Sequence, residues 1–201
     1  MKNINLLFIT LLFIGSAACK NATMDDLSGD ISPDSESQVI EKEINGIAFK
    51  FCLLNEQGEP ATVFNERENF NFYFSVTNQS KKDFYYDAYA LGYDKNFLRV
   101  YASSGSDFGK SYKPLLQTDI GIAAYPFNDG SIYTFKVPWM HEKEIVMKGG
   151  DFEYQSICTK TLEKGNYFTN FKYSFYFQGQ QDNNTTIRTD SISFKINFKI
   201  Q

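Results

Sequence analysis

The chain has 201 residues, 42% of them hydrophobic and 17% aromatic, with 24 acidic side chains against 20 basic ones and a net charge of -4. That mild acidity, carrying no basic stripe, argues against nucleic-acid binding through phosphate neutralisation. A single histidine, His141, excludes a multi-histidine metal site and leaves one candidate base for any Ser or Cys nucleophile. In chain order, Lys2 is followed by an apolar run from Leu6 to Ile14, by the small residues Gly15, Ser16, Ala17 and Ala18, and then by Cys19. The run is too short to span a bilayer and reads as the h-region of a signal peptide over residues 1–18.

Small side chains directly before a cysteine resemble the lipobox of bacterial lipoprotein precursors, with Ser16 standing where the general pattern prefers Leu. The resemblance implies diacylation of the Cys19 thiol, cleavage before it, and a membrane held through two or three acyl chains. A Ser-rich leader of this kind is similar to those of Bacteroidetes. From Lys20 to Glu43 seven acidic residues (Asp25, Asp26, Asp30, Asp34, Glu36, Glu41 and Glu43) stand against Lys20 and Lys42. So few apolar side chains cannot offset the ordering entropy, and residues 19–43 are expected to form a flexible acidic tether. Lys20 directly after the cysteine resembles an outer-membrane sorting signal, and Asp25 and Asp26 resemble a surface-export signal; a solvated linker accounts for the two aspartates equally well.

After residue 44 the pattern alternates with period two, the signature of strands with one buried face. Ile47, Phe49, Phe51 and Leu53 form the first such set, and Gln57-Gly58-Glu59-Pro60 supplies a turn. Phe70, Phe72, Phe74 and Val76 form the next, before a turn at Asn78–Lys81. Further strands are predicted over Phe97–Tyr101, Ser131–Val137, Phe152–Thr159, one long stretch Tyr167–Phe177, and Ile192–Ile200. Aromatic and β-branched residues dominate, and no long run carries a helical period. The expected fold is therefore all-β: one domain over 44–201, an antiparallel immunoglobulin-like sandwich of seven or eight strands.

Two local patterns carry resemblances. Leu162-Glu163-Lys164-Gly165-Asn166-Tyr167 resembles the tyrosine corner of immunoglobulin-like domains and assigns Tyr167 a structural role. Phe64 to Ser80, with Tyr93-Asp94 and Phe97-Leu98-Arg99-Val100, resembles the BsuPI-like family, immunoglobulin-like domains named after an intracellular proteinase inhibitor. Fold similarity does not carry inhibition with it.

Signals of catalysis are scarce. His141 lies in the polar stretch Pro138–Glu144 and reads as an uninvolved surface histidine, while Glu66 with Glu68 and Glu142 with Glu144 read as solvated charge. No phosphate loop, nucleophile elbow or calcium loop is present in the sequence, and no cofactor is expected. Cys52 and Cys158 remain after lipidation of Cys19, as a disulfide in an oxidising envelope or as two buried thiols. Tyrosine concentrates between Tyr85 and Tyr93, and Tyr85, Tyr86, Tyr89 and the single tryptophan Trp139 are the candidate ligand-binding residues, against core packing as the plainer reading. The expected function is a non-catalytic binding module on the outer membrane for a glycan or protein ligand. The alternatives are a protease or toxin inhibitor, with loops in Ser103–Pro114 or Tyr125–Ser131, and an assembly component using the strand Ile192–Gln201.

Overall fold

The computed structural model describes residues 39–115, 124–139, 143–157, 159–181 and 185–201. Cys19, the leader, residues 19–38 of the expected tether, His141, Glu142 and Cys158 lie outside the described residues.

The domain starts earlier than the sequence pattern suggested. Strand β1 (Val39–Ile44) pairs along its whole length with β2 (Ile47–Leu54), which takes residues 39–43 out of the tether and into the domain. The turn between them is Asn45-Gly46, with φ of 53° and 78°. Left-handed backbone at both positions is what a two-residue hairpin of matching twist requires. Ile40 and Ile44 pack against the core, and Lys42 between them lays its stem inward. Its Nζ donates to the Ser193 carbonyl at 3.0 Å and sits 5.3 Å from the Phe194 ring centre, and burial lowers its pKa. An inward-pointing charge on an edge strand discourages pairing with a second chain.

From β2 the chain passes through β3 (Val63–Phe64), β4 (Asn71–Asn78), β5 (Phe84–Tyr86), helix α1 (Ala88–Tyr93), β6 (Arg99–Ala102), β7 (Asp107–Lys110) and β8 (Tyr112–Pro114). It continues through β9 (Tyr125–Phe127), β10 (Ile132–Pro138), β11 (Val146–Gly149), β12 (Phe152–Ser156), β13 (Gly165–Tyr173), β14 (Tyr176–Gly179), β15 (Ile187–Arg188) and β16 (Ile192–Ile200). Two main sheets, β1-β2-β4-β10 and β3-β16-β13-β6-β7, form the sandwich. Their strands are antiparallel except that β3 runs parallel to β16. With β2, β4 and β10 in one layer and β16, β13 and β6 in the other, the order matches strands A, B, E against G, F, C of an immunoglobulin-type sandwich. Among the described residues sixteen strands replace the seven or eight expected, because the extra ones are mostly two to four residues long, too short for a period-two pattern to register. The predicted long strand Tyr167–Phe177 breaks at Ser174–Phe175 into β13 and β14.

Inward side chains of the two layers meet as a phenylalanine core. Phe74 of β4 lies 5.3 Å from Phe194 of β16 and 5.6 Å from Phe171 of β13, and Phe51 of β2 lies 5.3 Å from Phe171. Each fully buried phenylalanine contributes about 1.5–3 kcal/mol of transfer free energy. The tyrosine corner forms as expected, with the Tyr167 hydroxyl donating to the Glu163 carbonyl at 2.8 Å.

The register also defines two poles. Leu54, Asn71 and Pro138 are aligned in one layer, and Gly165 and Ile200 end the other; Phe70 and Phe198, 5.2 Å apart, join them at that pole. Val39 also stands there, next to the end of β2. The opposite pole carries Ile44, Ile47, Asn78, Tyr173 and Ile192. Six residues of β1 at about 3.3 Å each separate the poles by roughly 20 Å. A third sheet, β15-β14-β5-β9, grows from this far pole, because each of its strands directly follows or precedes a main strand there. A fourth, β11-β12-β8, flanks the body.

Candidate functional site

The third sheet has one face turned to the core and one to solvent. Phe84, Tyr86, Phe127 and Phe177 point inward, with Tyr86 and Phe177 rings 4.9 Å apart and Phe127 and Phe177 5.7 Å apart. Alternation then sends Tyr176 and Gln178 of β14, Tyr85 of β5, Pro126 of β9 and Arg188 of β15 outward. Gln178, Tyr85 and Pro126 lie in one cross-strand row, and Tyr176 stands opposite Arg188. The Arg188 guanidinium carbon lies 5.4 Å from the centre of the Tyr176 ring. Tyr85 and Tyr176, 38% and 46% exposed, are diagonal neighbours on adjacent strands, a separation of about 7–8 Å.

The backbone beneath this face is tightly held. Asn78, with no exposed surface, donates from Nδ2 to the Lys82 and Phe127 carbonyls at 2.8 Å each. Its Oδ1 accepts from Ser80 N at 3.0 Å and Ser80 Oγ at 2.6 Å. Asp83 Oδ1 accepts from Asp129 N, whose own carboxylate accepts from Lys81 N. Gln180 Nε2 reaches the Phe84 carbonyl at 2.6 Å and Asn128 Oδ1 at 3.0 Å. On the other side, Phe175 N donates to Thr189 Oγ1 and Thr189 N to the Phe175 carbonyl, which pins the strand bearing Arg188. Side chains mounted on such a frame lose little conformational freedom when a ligand covers them.

Of the four aromatic residues expected to bind a ligand, only Tyr85 stands on an open face. Tyr86 is buried, and burial holds its hydroxyl well above the usual tyrosine range. Trp139 is buried between Phe70, whose ring is parallel at 6.2 Å, and Phe72. Tyr89 lies half-buried on α1, its ring 6.0 Å from both Tyr125 and Phe152. The tyrosine run divides because Asp87 caps α1, its carboxylate accepting from Ala90 N at 3.1 Å, and so turns the chain from strand to helix. Tyr176, Gln178, Pro126 and Arg188 went unremarked in the sequence. Phe175-Tyr176-Phe177 carries the signal, since a tyrosine between two inward phenylalanines must face out.

Other chemistry-bearing groups have local explanations. Lys110, lowered to about 8 by burial, donates to the Gly92 and Asp94 carbonyls at the end of α1 and lies 4.2 Å over Tyr112, whose hydroxyl also reaches Gly92. It serves as a helix cap. Cys52 is buried on β2, its thiol pushed up to about 11 by burial, and has no disulfide among the described residues. Glu68 closes a turn by accepting from Asn65 N and Nδ2. A polar groove of about 460 Å³ beside β1 and β2 is lined in part by Glu41, Glu43, Lys50 and Ser75, and the Lys50–Glu41 ion pair at 3.1 Å spans it. Among the described residues no three His, Cys, Asp or Glu side chains gather as a metal site. Ser103–Pro114 carries β7 and β8 behind a tight Ala102–Ser106 turn, and Tyr125–Ser131 carries β9 and the turn held by Asn78. Ile192–Ile200 is paired over its full length with β13. No protein-family model, curated protein or solved structure matches this chain.

Proposed function

We propose that this protein is a non-catalytic binding module of a bacterial envelope, held to the outer membrane through lipid on Cys19, that captures a glycan on the face bearing Tyr85 and Tyr176. The observation that carries this reading is the pair of exposed tyrosines on one rigid sheet at the pole opposite Val39. A chain anchored upstream of Val39 enters the domain at the other pole, so the tether does not cover this face. Tyrosine rings offer flat apolar area with a polar tip, suited to the C–H faces and hydroxyls of a sugar. A stable protein partner would need about 20–30 residues on each side, and this strip has five outward side chains.

The test is retardation of the chain in native gels cast with soluble polysaccharides, with Tyr85→Ala and Tyr176→Ala alongside. Each variant is expected to weaken binding at least about tenfold, the equivalent of 1.4 kcal/mol. Unchanged retardation in both would remove the tyrosine face from the reading. Protease treatment of unbroken cells tests the display: loss of the native protein places the domain outside, and protection until lysis places it in the periplasm.

A further inference from the structure

Resting on that reading, we infer that the face takes an acidic polysaccharide, with a uronate carboxylate held by Arg188 while neighbouring sugar rings lie on Tyr176 and Tyr85. Arg188 is exposed, and the ion pairs among the described residues, Lys50 with Glu41 and Arg99 with Asp107, leave it without a carboxylate. Its described contact is the Tyr176 ring. A guanidinium placed over a ring keeps its planar N–H fork for a ligand, and that fork matches a carboxylate in two parallel hydrogen bonds. Thr189, bonded both ways to Phe175, fixes the strand beneath it.

Spacing and charge count narrow the class. Tyr176 stands directly opposite Arg188, so a sugar packed along the edge of the ring that the guanidinium leaves open brings a substituent to the guanidinium. Tyr85 lies one diagonal step further along the face. Arg188 is the sole cation among the five outward residues. One cation beside one carboxylate suits a chain with a single charge per sugar. A densely sulfated chain needs a cluster of cations.

The experiment measures gel retardation of the full chain in detergent micelles, using polygalacturonate, its methyl ester, dextran sulfate and a neutral β-glucan as probes. Polygalacturonate is expected to bind, with methyl esterification weakening it at least about tenfold. Arg188→Gln should produce the same loss for the free acid and no change for the ester, and Arg188→Lys a smaller loss because the fork is gone. Raised salt should weaken the acid more than the ester. Arg188 is exposed, so its variants should melt where the wild type does, which thermal unfolding checks. Equal binding of acid and ester, or no effect of Arg188→Gln, overturns the assignment. Tighter Arg188-dependent binding of dextran sulfate overturns the carboxylate in favour of sulfate. Binding of the neutral glucan alone, lost in Tyr85→Ala and kept in Arg188→Gln, overturns the acidic ligand and leaves the tyrosine face standing. Retardation by none of the four probes overturns both.

Discussion

Asn78 is the position at which one substitution should cost most for its size. Its side chain makes four hydrogen bonds, to the Lys82 and Phe127 carbonyls and from Ser80 N and Oγ, inside a residue with no exposed surface. At about 1 kcal/mol net for each bond, plus about 1–3 kcal/mol for stranding the buried Phe127 acceptor, Asn78→Ala should lose roughly 5–7 kcal/mol. That is a large part of the 5–15 kcal/mol available to an ordinary domain. Asn78→Asp separates hydrogen bonding from packing, because the shape is conserved. It keeps the Ser80 contacts, removes both donors, and sets an anionic oxygen against two carbonyls, at an expected cost of about 3–5 kcal/mol at neutral pH. The carbonyl oxygens raise the pKa of the introduced carboxylate, so the deficit relative to wild type should shrink as the pH falls through that raised value and a proton restores one donor. Urea unfolding measures both variants, with a lowered midpoint and an unchanged slope as the expected signature. Loss of less than about 1 kcal/mol in Asn78→Asp at pH 7 would refute the reasoning.

Three further outcomes follow from the packing and the charges. Phe74→Ala removes a ring that touches Phe51, Phe97, Phe135, Phe171 and Phe194, and should lose about 3–5 kcal/mol in urea, whereas Phe74→Leu should lose well under half of that. Tyr167→Phe deletes only the bond to the Glu163 carbonyl and should cost about 1 kcal/mol, with hydrogen exchange quickening first near Gly165. Tyr154 is pushed up to about 12 by burial, so the folded state keeps a proton that the unfolded chain releases near pH 10. Its stabilising contribution is full below about pH 10 and falls away between about pH 10 and 12, and Tyr154→Phe should flatten thermal stability across that window.

Much of the sandwich was legible because its long strands bury one face and therefore alternate. Ile47 to Leu53, Phe70 to Val76 and Ile192 to Ile200 became β2, β4 and β16 within a residue or two. The tyrosine corner was legible for a different reason: its hydrogen bond spans four residues, so both partners lie in one short motif. Asn45-Gly46 held the signal for β1, but the acidic composition on either side of Lys42 outweighed it. What composition could not register is that Lys42 buries its stem and places its charge on a carbonyl 151 positions away.

The sequence by itself determined the class of fold, since the alternation of its long strands depends on local order. Only the tertiary structure decided which tyrosines face solvent. Tyr85 and Tyr86 are chain neighbours, yet one is open and the other buried, because β5 is three residues long and its inner face is set by β9 and β14, drawn from distant parts of the chain. Arg188 likewise meets Tyr176 only because Thr189 and Phe175 bond across the end of the sandwich. Local alternation fixes that neighbouring side chains point opposite ways, and long-range pairing alone fixes which way is out.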